Sequence, residues 1–455
     1  MTPLSLHLRQ DAVDFFTAGL AAADPEKAVR AHLNYQSQRL RIKTLSNHTS
    51  LQRSEDWSKV HLIALGKAAC KMATSAQQII PPSLFSTDHI VITNYENIEP
   101  SAHLNIIGAG HPRPDEAGLS AARKMIDIAQ KAQTNELVLV LLSGGGSSLA
   151  PCPLTPISLI EKQFVNDLLL ASGATIQEIN TVRKHLSALK GGQLIKYILP
   201  ADVHTLILSD VIDNNLSTIA SGPTVPDSTT FLDTIKILKK YDLWNHLPQS
   251  ILNLCNQNTV HPKYETLKPN QYPNYQDHIS LIGSNAISIN HILSVAQKYY
   301  YETYLYSSKL CGEAKDEALK LLFFAQKIIN QGITKPTAII AGGETTVTLN
   351  GQGIGGRNQE MALAFTIAAE QYELAVSNWV FLSAGTDGRD GPTEAAGAMV
   401  DAASYNRMVK SAINPAVFLT NNDSNTALAR SNDLFITGAT GTNVADLQIL
   451  LLQPF

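Results

Sequence analysis

Apolar and polar positions along this chain fall into two alternating kinds of stretch, short apolar runs of strand length and longer amphipathic runs of helical period. In the first half the apolar runs are Val60–Leu65, Ile90–Thr93, Leu137–Leu142 and Thr205–Leu208. Between them lie helical patterns from Lys67, from Asp115 to about Lys131, and onward to Lys190. This order predicts an α/β fold with a largely parallel sheet. From Asn256 to Asp277, Asn, Gln, Pro, Lys and Tyr crowd in and the periodicity lapses, which predicts a linker or a long excursion. The α/β style then resumes, with strands at Ile279–Ile282, Thr337–Ile340, Trp379–Leu382 and Leu434–Thr437 and helices around Ala286–Tyr299 and from Glu313. The expected organisation is an α/β domain over 1–255, a linker over 256–277 and a second α/β domain over 278–455, with the active site between the halves. There is no repeat of fixed period and no low-complexity tract.

Two glycine-rich loops interrupt these patterns. The first, Leu142-Ser143-Gly144-Gly145-Gly146-Ser147-Ser148, follows an apolar strand directly. In the second, Thr345–Leu349 alternates like a strand, Gly351, Gly353, Gly355 and Gly356 make a tight loop, and Asn358–Tyr372 reads as the helix it opens. Backbone amides at such junctions face an anion, although a turn needing only φ > 0 would ask for the same glycines. Two loops together suit a substrate with several phosphates. Ser143, Gly144, Gly145, Gly146, Ser147, Gly353, Gly355, Gly356 and Asn358 are therefore candidate phosphate or substrate ligands.

Charged residues sit beside these loops. Lys67 follows Gly66 where a helix opens, and there a cation opposes the helix dipole by about 0.3–1 kcal/mol unless an anion offsets it. Arg357 has a comparable position after the second loop, where its fork of donors could clamp a phosphate or carboxylate, or else pair with Glu360. Asp387 and Asp390 flank Gly388-Arg389 past a strand end, suited to magnesium or to a hydroxyl proton, but equally to capping amides. Asp210 and Glu344 are two further strand-end acids. Lys190, before Gly191-Gly192, reads first as a cation at a helix C-terminus ahead of a glycine cap and is carried also as a phosphate ligand. His111, in an extended turn, reads as structural.

Composition narrows the partners. With 35 basic and 39 acidic residues mixed along the chain and a net charge of −4, there is no polycationic stripe for nucleic acid and no basic patch for a membrane. The amino terminus shows no signal sequence and no segment approaches ~20 apolar residues, so a soluble cytoplasmic protein is expected. Cys70, Cys152, Cys255 and Cys311 form no CxxC, which speaks against a disulfide framework or zinc site. No P-loop, nucleophile elbow or HExxH occurs; Gly351–Gly356 matches GxGxxG by letter and keeps a dinucleotide reading open.

The segments GKAACKMA (66–73), GAGHPRPDEAG (108–118), LLSGGGSSLAP (141–151), VRKHLSALKGGQL (182–194), SDVIDNNLSTIASGPTVPD (209–227), GGETTVTLNGQGIGGRNQE (342–360), SAGTDGRDGPTEAAGAMVD (383–401) and TGATGTNVADLQILL (437–451) resemble, in that order, glycerate 2-kinases of the MOFRL type. The resemblance implies a Rossmann-like first domain, a MOFRL-type second domain and a cleft between them binding ATP, Mg²⁺ and D-glycerate, with 2-phosphoglycerate as product. It places active-site roles of the family on Lys67 and Arg357. Asp210 would hold the metal and Asp387 or Asp390 would orient the attacking hydroxyl. Asn214 and Asn215 stand where the family pattern has acids, which removes charge but keeps oxygen donors. An NAD(P)-dependent hydroxypyruvate reductase and a non-catalytic metabolite sensor are the competing expectations, and a homodimer is left open.

Overall fold

The computed structural model describes residues 3–46 and 49–455. Met1 and Thr2, where the reading for a signal sequence begins, lie outside the described residues, as do residues 47 and 48. The chain forms two compact units, one of residues 25–282 and one of residues 1–24 with 283–455.

In the 25–282 unit, six strands form one sheet: Lys59–Leu65, Ile90–Asn94, Ile106–Ala109, Glu136–Leu142, Asp202–Leu208 and Ile279–Gly283. Numbered along the chain, their order across the sheet is 3-2-1-4-5-6, with parallel pairing through the first five. Every residue of Val60–Leu65 and Leu137–Leu142 is buried, as a parallel strand covered on both faces requires, and so these runs are apolar except for His61, whose Nε2 is 2.8 Å from Glu136. The strand order reverses between Lys59–Leu65 and Glu136–Leu142, where Leu65 lies in register with Leu142. In such sheets the crevice beyond the strand ends at this point is where ligands bind. The chain leaves the two strands as Gly66-Lys67 and Ser143-Gly144.

Helices Leu159–Ala171 and Ile176–His185 each begin with a capping box, Ser158 with Glu161 and Thr175 with Glu178, which satisfies the first amides and fixes where each helix starts. A small antiparallel sheet of Leu33–Gln36, Arg39–Ser46 and Thr49–Arg53 was not foreseen from the sequence. The stretch 256–277, expected as a linker or a long excursion, is part of this unit. Helix Gln249–Val260 runs into it, Thr266 and Leu267 are buried, and the Leu267 carbonyl accepts the Asp227 amide at 2.7 Å.

The other unit has a mixed sheet in the order Glu302–Leu310, Thr337–Gly343, Asp446–Gln453, Asn378–Gly385, Gly397–Asp401, Leu434–Phe435. Only the first two strands named pair in parallel. The strand Asp446–Gln453, unrecognised in the periodicity, is central: it runs antiparallel to both Thr337–Gly343 and Asn378–Gly385. The predicted strand at Leu434–Thr437 shrinks to two residues. Thr345–Leu349 is not a strand, because Glu313 draws the segment to itself through Thr346 Oγ1, Thr348 Oγ1 and the Thr348 amide.

Residues 1–24, assigned from the sequence to the first domain, belong here. Helix Pro3–Ala22 buries Leu8, Ala12, Phe15 and Phe16 in one core with Ile289, Ile292, Val380, Ile449 and Leu451. Each phenylalanine buried in this way contributes roughly 1.5–3 kcal/mol. Arg9 anchors the helix through Asp401 at 2.7 Å and Asp433 at 2.5 Å. Among the described residues no helix is long and apolar enough to cross a membrane.

Candidate active site

In the 25–282 unit the two strand ends are joined by backbone contacts that only glycine permits. Gly66 has φ +128°, and a Cβ there would stand 2.2 Å from Ser143 Oγ. The Lys67 amide donates to the Gly144 carbonyl at 2.9 Å, and Ser143 Oγ accepts the Ala68 amide at 3.0 Å. Ser143, expected among the substrate ligands, is thus a buried tie at the start of helix Ala69–Ile79. That helix begins two residues beyond Lys67, which leaves Lys67 in the connection.

Gly144 and Gly145 are crowded from the other side. A Cβ on Gly144 would lie 2.1 Å from Asp210 Oδ2; one on Gly145 would lie 3.1 Å from His111 Nε2 and 3.3 Å from Lys67 Cγ. Lys67, His111, Asp210 and this loop therefore form one cluster. The amides of Gly144 and Gly145 donate to no protein acceptor among the described residues. Burial lowers the His111 pKa, and Lys67 lowers it further, so the imidazole is neutral near pH 7. Burial raises the Asp210 carboxyl, opposed by its own backbone amide and by Lys67.

Beside this cluster opens a cavity of about 480 Å³, lined by His111, Gly145 and Asp210, by the cations Lys162, Arg183 and Lys190, and by the exposed Arg113. Lys190 is not at a helix end, since the preceding helix stops at His185; its buried ammonium donates to the Ser147 carbonyl at 3.0 Å. Ser147 in turn shares a 2.7 Å hydrogen bond with Ser221. Gly146 starts the short helix Gly146–Leu149, packed against Ala220 and Leu65. Lys162 Nζ is buried without a hydrogen-bond partner, and Arg183 Nε donates to Asn166 Oδ1 at 2.7 Å. Burial, with Arg183 adding to it, pushes Lys162 down to about 8. Lys190 is lowered by burial and then by Lys162 and Arg183.

The second glycine loop is built differently. Its amides are largely taken: Gly351 donates to Asn422 Oδ1 at 2.9 Å, Gly353 to the Asn421 carbonyl at 3.0 Å and Ile354 to Asp423 Oδ1 at 3.2 Å. Gly355 lets Ser424 approach and Gly356 lets Asp390 approach, since a Cβ would fall 2.2 Å from Ser424 Oγ and 2.3 Å from Asp390 Cγ. Gly353 is thus a packing glycine whose amide is satisfied within the protein. The helix Arg357–Tyr372 has its anion already. The buried Asp390 carboxylate accepts the amides of Asn358 at 3.1 Å and Gln359 at 2.9 Å. Asp390 thus caps this helix, and Asn358 is a buried partner, its Oδ1 accepting from Ser383 Oγ at 2.7 Å. The dinucleotide reading of these letters loses its physical basis, because the loop amides it needs are occupied.

Arg357 does not pair with Glu360. Its Nε and Nη2 grip Asp446 at 2.5 and 2.9 Å, and Nη1 reaches Glu344 at 2.9 Å. Asp446 is buried and lies in register with both Gly343 and Gly385, whose missing side chains leave room at the strand ends. Although burial opposes it, the Asp446 hydrogen bond holds the guanidinium pKa above its usual value. Asp387 stands nearby, its Oδ1 and that of Asp446 both about 3.5 Å or less from where a Gly385 Cβ would be; among the described residues it accepts only the Arg389 amide of its own turn, at 3.1 Å.

Comparison with known proteins places this arrangement. The description of a domain of unknown function, DUF4147, matches residues 11–256, and that of the MOFRL family matches residues 337–446. A glycerate 2-kinase of Pyrococcus horikoshii is 38% identical over 452 residues, covering 99% of this chain and 98% of the relative. A D-glycerate 2-kinase of Thermotoga maritima is 40% identical over 397 residues, 87% of this chain and 91% of the relative. The chain belongs to the glycerate 2-kinase family. The crystal structure of a glycerate kinase from Thermotoga maritima superposes with a TM-score of 0.84 at 36% identity, covering 99% of this chain and 100% of that one.

Against this family frame, sequence reasoning missed three residues: Lys162, Arg183 and Asp446. Arg183 lies inside a segment quoted for the family resemblance, and Asp446 opens an apolar run of strand length. Lys162 carried no signal, since a lysine on an amphipathic helix is ordinarily solvated.

Proposed function

We propose that the chain transfers the γ-phosphoryl group of ATP to the 2-hydroxyl of D-glycerate, releasing ADP and 2-phosphoglycerate. The observation that carries this reading is the nearly full-length likeness to glycerate 2-kinases, whose ordered segments fall on the Lys67, His111, Gly144 and Asp210 cluster. Phosphoryl transfer needs little covalent help from protein; positioning and neutralisation of charge supply most of the rate. Lys67 and the unengaged amides of Gly144 and Gly145 suit the anionic oxygens of a phosphate, and neutral His111 can donate or accept a hydrogen bond without adding charge. In the other unit Arg357, fixed by Asp446, is assigned to a substrate anion that takes over the contact with half-exposed Glu344. Asp387, free of any ion pair among the described residues, is assigned to the acceptor hydroxyl and its proton.

Magnesium fits the residues present. No group of three or more His, Cys, Asp or Glu among the described residues could hold a metal by itself. Magnesium bound with a nucleotide needs only one or two carboxylates besides phosphates and waters. Asp210 supplies one, and Asn214 Oδ1, buried without a hydrogen-bond partner, is a neutral oxygen four residues on. When bound, the ion would neutralise phosphate charge.

The test is direct. Purified protein is incubated with D-glycerate, ATP and Mg²⁺, and enolase is added without phosphoglycerate mutase. Phosphoenolpyruvate formation establishes 2-phosphoglycerate. ADP release without phosphoenolpyruvate would refute the 2-position, and no ADP release would refute the kinase reading.

A further inference from the structure

Of the four cations lining the 480 Å³ cavity, Lys162, Arg183 and Lys190 have no counter-ion among the described residues, while the exposed Arg113 lies 4.0 Å from Asp167. Lys190 and Arg183 bond to neutral oxygens, Ser147 carbonyl and Asn166 Oδ1, and Lys162 Nζ bonds to nothing while buried. No carboxylate forms an ion pair with any of these three among the described residues; of the cavity's acids, Asp210 rests against Gly144 and Asp167 faces Arg113. Three unneutralised cations converging on one buried space are unfavourable in the empty protein, both by desolvation and by mutual repulsion. A ligand bearing several negative charges removes both penalties. The same cavity also has an apolar lining that includes Leu169, Leu170 and Ile176 from the Leu159–Ala171 and Ile176–His185 helices, and Leu170 and Ile176 remain 57% and 49% exposed. A cavity of this volume encloses a ligand far larger than a three-carbon acid.

We propose that this cavity is the nucleoside triphosphate site, with Lys162, Arg183 and Lys190 as counter-ions of the polyphosphate and the Leu169, Leu170 and Ile176 face against the base and sugar. This assignment rests on the kinase reading but adds what that reading leaves open: the donor nucleotide is held by residues 25–282, and Lys162 is a binding residue for it. Asp210, in the same cavity, stands where a metal on the phosphates would need an oxygen ligand.

The experiment compares wild type, Lys162→Met and Ile176→Ala, using isothermal titration with a non-hydrolysable ATP analogue, with inorganic tripolyphosphate and with D-glycerate, alongside steady-state kinetics. Loss of one charge-assisted contact corresponds to about 10- to 100-fold weaker binding. Lys162→Met is expected to weaken both the analogue and tripolyphosphate by that factor and to raise KM for ATP, leaving glycerate binding and its KM unchanged. Ile176→Ala, at an exposed position that tolerates truncation, should weaken the analogue but not tripolyphosphate. Unchanged affinity for analogue and tripolyphosphate in Lys162→Met would overturn the proposal, as would an effect confined to glycerate. If wild type binds the analogue in this manner but does not phosphorylate glycerate, the cavity assignment stands and the acceptor assignment falls.

Discussion

Replacing Lys162 by Met should make the ligand-free protein more stable. A site that lowers a lysine from its usual 10.5 to about 8 penalises the folded protein by about 3 kcal/mol whenever the group is protonated in both states. Water reaching the partly exposed stem reduces this, so about 2 kcal/mol is expected near pH 7. Methionine keeps the length of the stem and removes the charge. At about 2–4 °C per kcal/mol for a domain of this size, the unfolding midpoint of residues 25–282 should rise by about 4–8 °C in a buffer without phosphate. The pH dependence checks the cause. Below pH 8 folded and unfolded chains both bind the proton and the penalty is constant. Between pH 8 and 10.5 the unfolded chain binds it and the folded chain does not, so this group makes wild type more stable as pH rises. The gap between variant and wild type should therefore narrow over that window in calorimetric scans. A variant less stable than wild type at pH 7 would show that the ammonium is satisfied in the empty protein and would refute the reasoning.

Other substitutions separate chemistry from scaffold. Gly144→Ala places a methyl 2.1 Å from Asp210 Oδ2, so activity should fall at least tenfold with an overpacking penalty of about 1–3 kcal/mol; wild-type kcat/KM would disprove the contact. Asp390→Ala leaves two helix amides and Gln359 without their buried acceptor and should destabilise by about 2–4 kcal/mol in urea titrations. Asp387→Asn, by contrast, should lower kcat while leaving the urea midpoint within error.

The parallel strands were legible because burial on both faces writes them as nearly unbroken apolar runs, interrupted in Val60–Leu65 only by His61, and helix starts were legible where a carboxylate caps them, as at Asp115. The central strand Asp446–Gln453 is equally apolar, but periodicity says nothing about which neighbours a strand will separate, so its insertion between Thr337–Gly343 and Asn378–Gly385 stayed hidden. Thr345–Leu349 misled because its alternation is answered by one glutamate side chain rather than by a neighbouring strand. At the site, glycines advertised close approach without saying what approaches. At Gly144 it is the acid Asp210, leaving amides unengaged; at Gly356 it is Asp390, which occupies them. Arg357 could be picked out as a charged residue at a helix start, yet its partner lies 89 positions further along the chain.

Helix Pro3–Ala22 leaves the ribosome long before Asp446–Gln453, the strand that shares its core. About 430 residues separate them, roughly 20–90 s of synthesis at 5–20 residues per second. Residues 25–282 are contiguous and can fold while translation proceeds. Throughout that interval Phe15 and Phe16 have no core to enter, so the nascent amino terminus presents a bare apolar helix of the kind that chaperones engage. Any truncation that removes Asp446–Gln453 would leave that helix without its destination, however complete the rest of the chain.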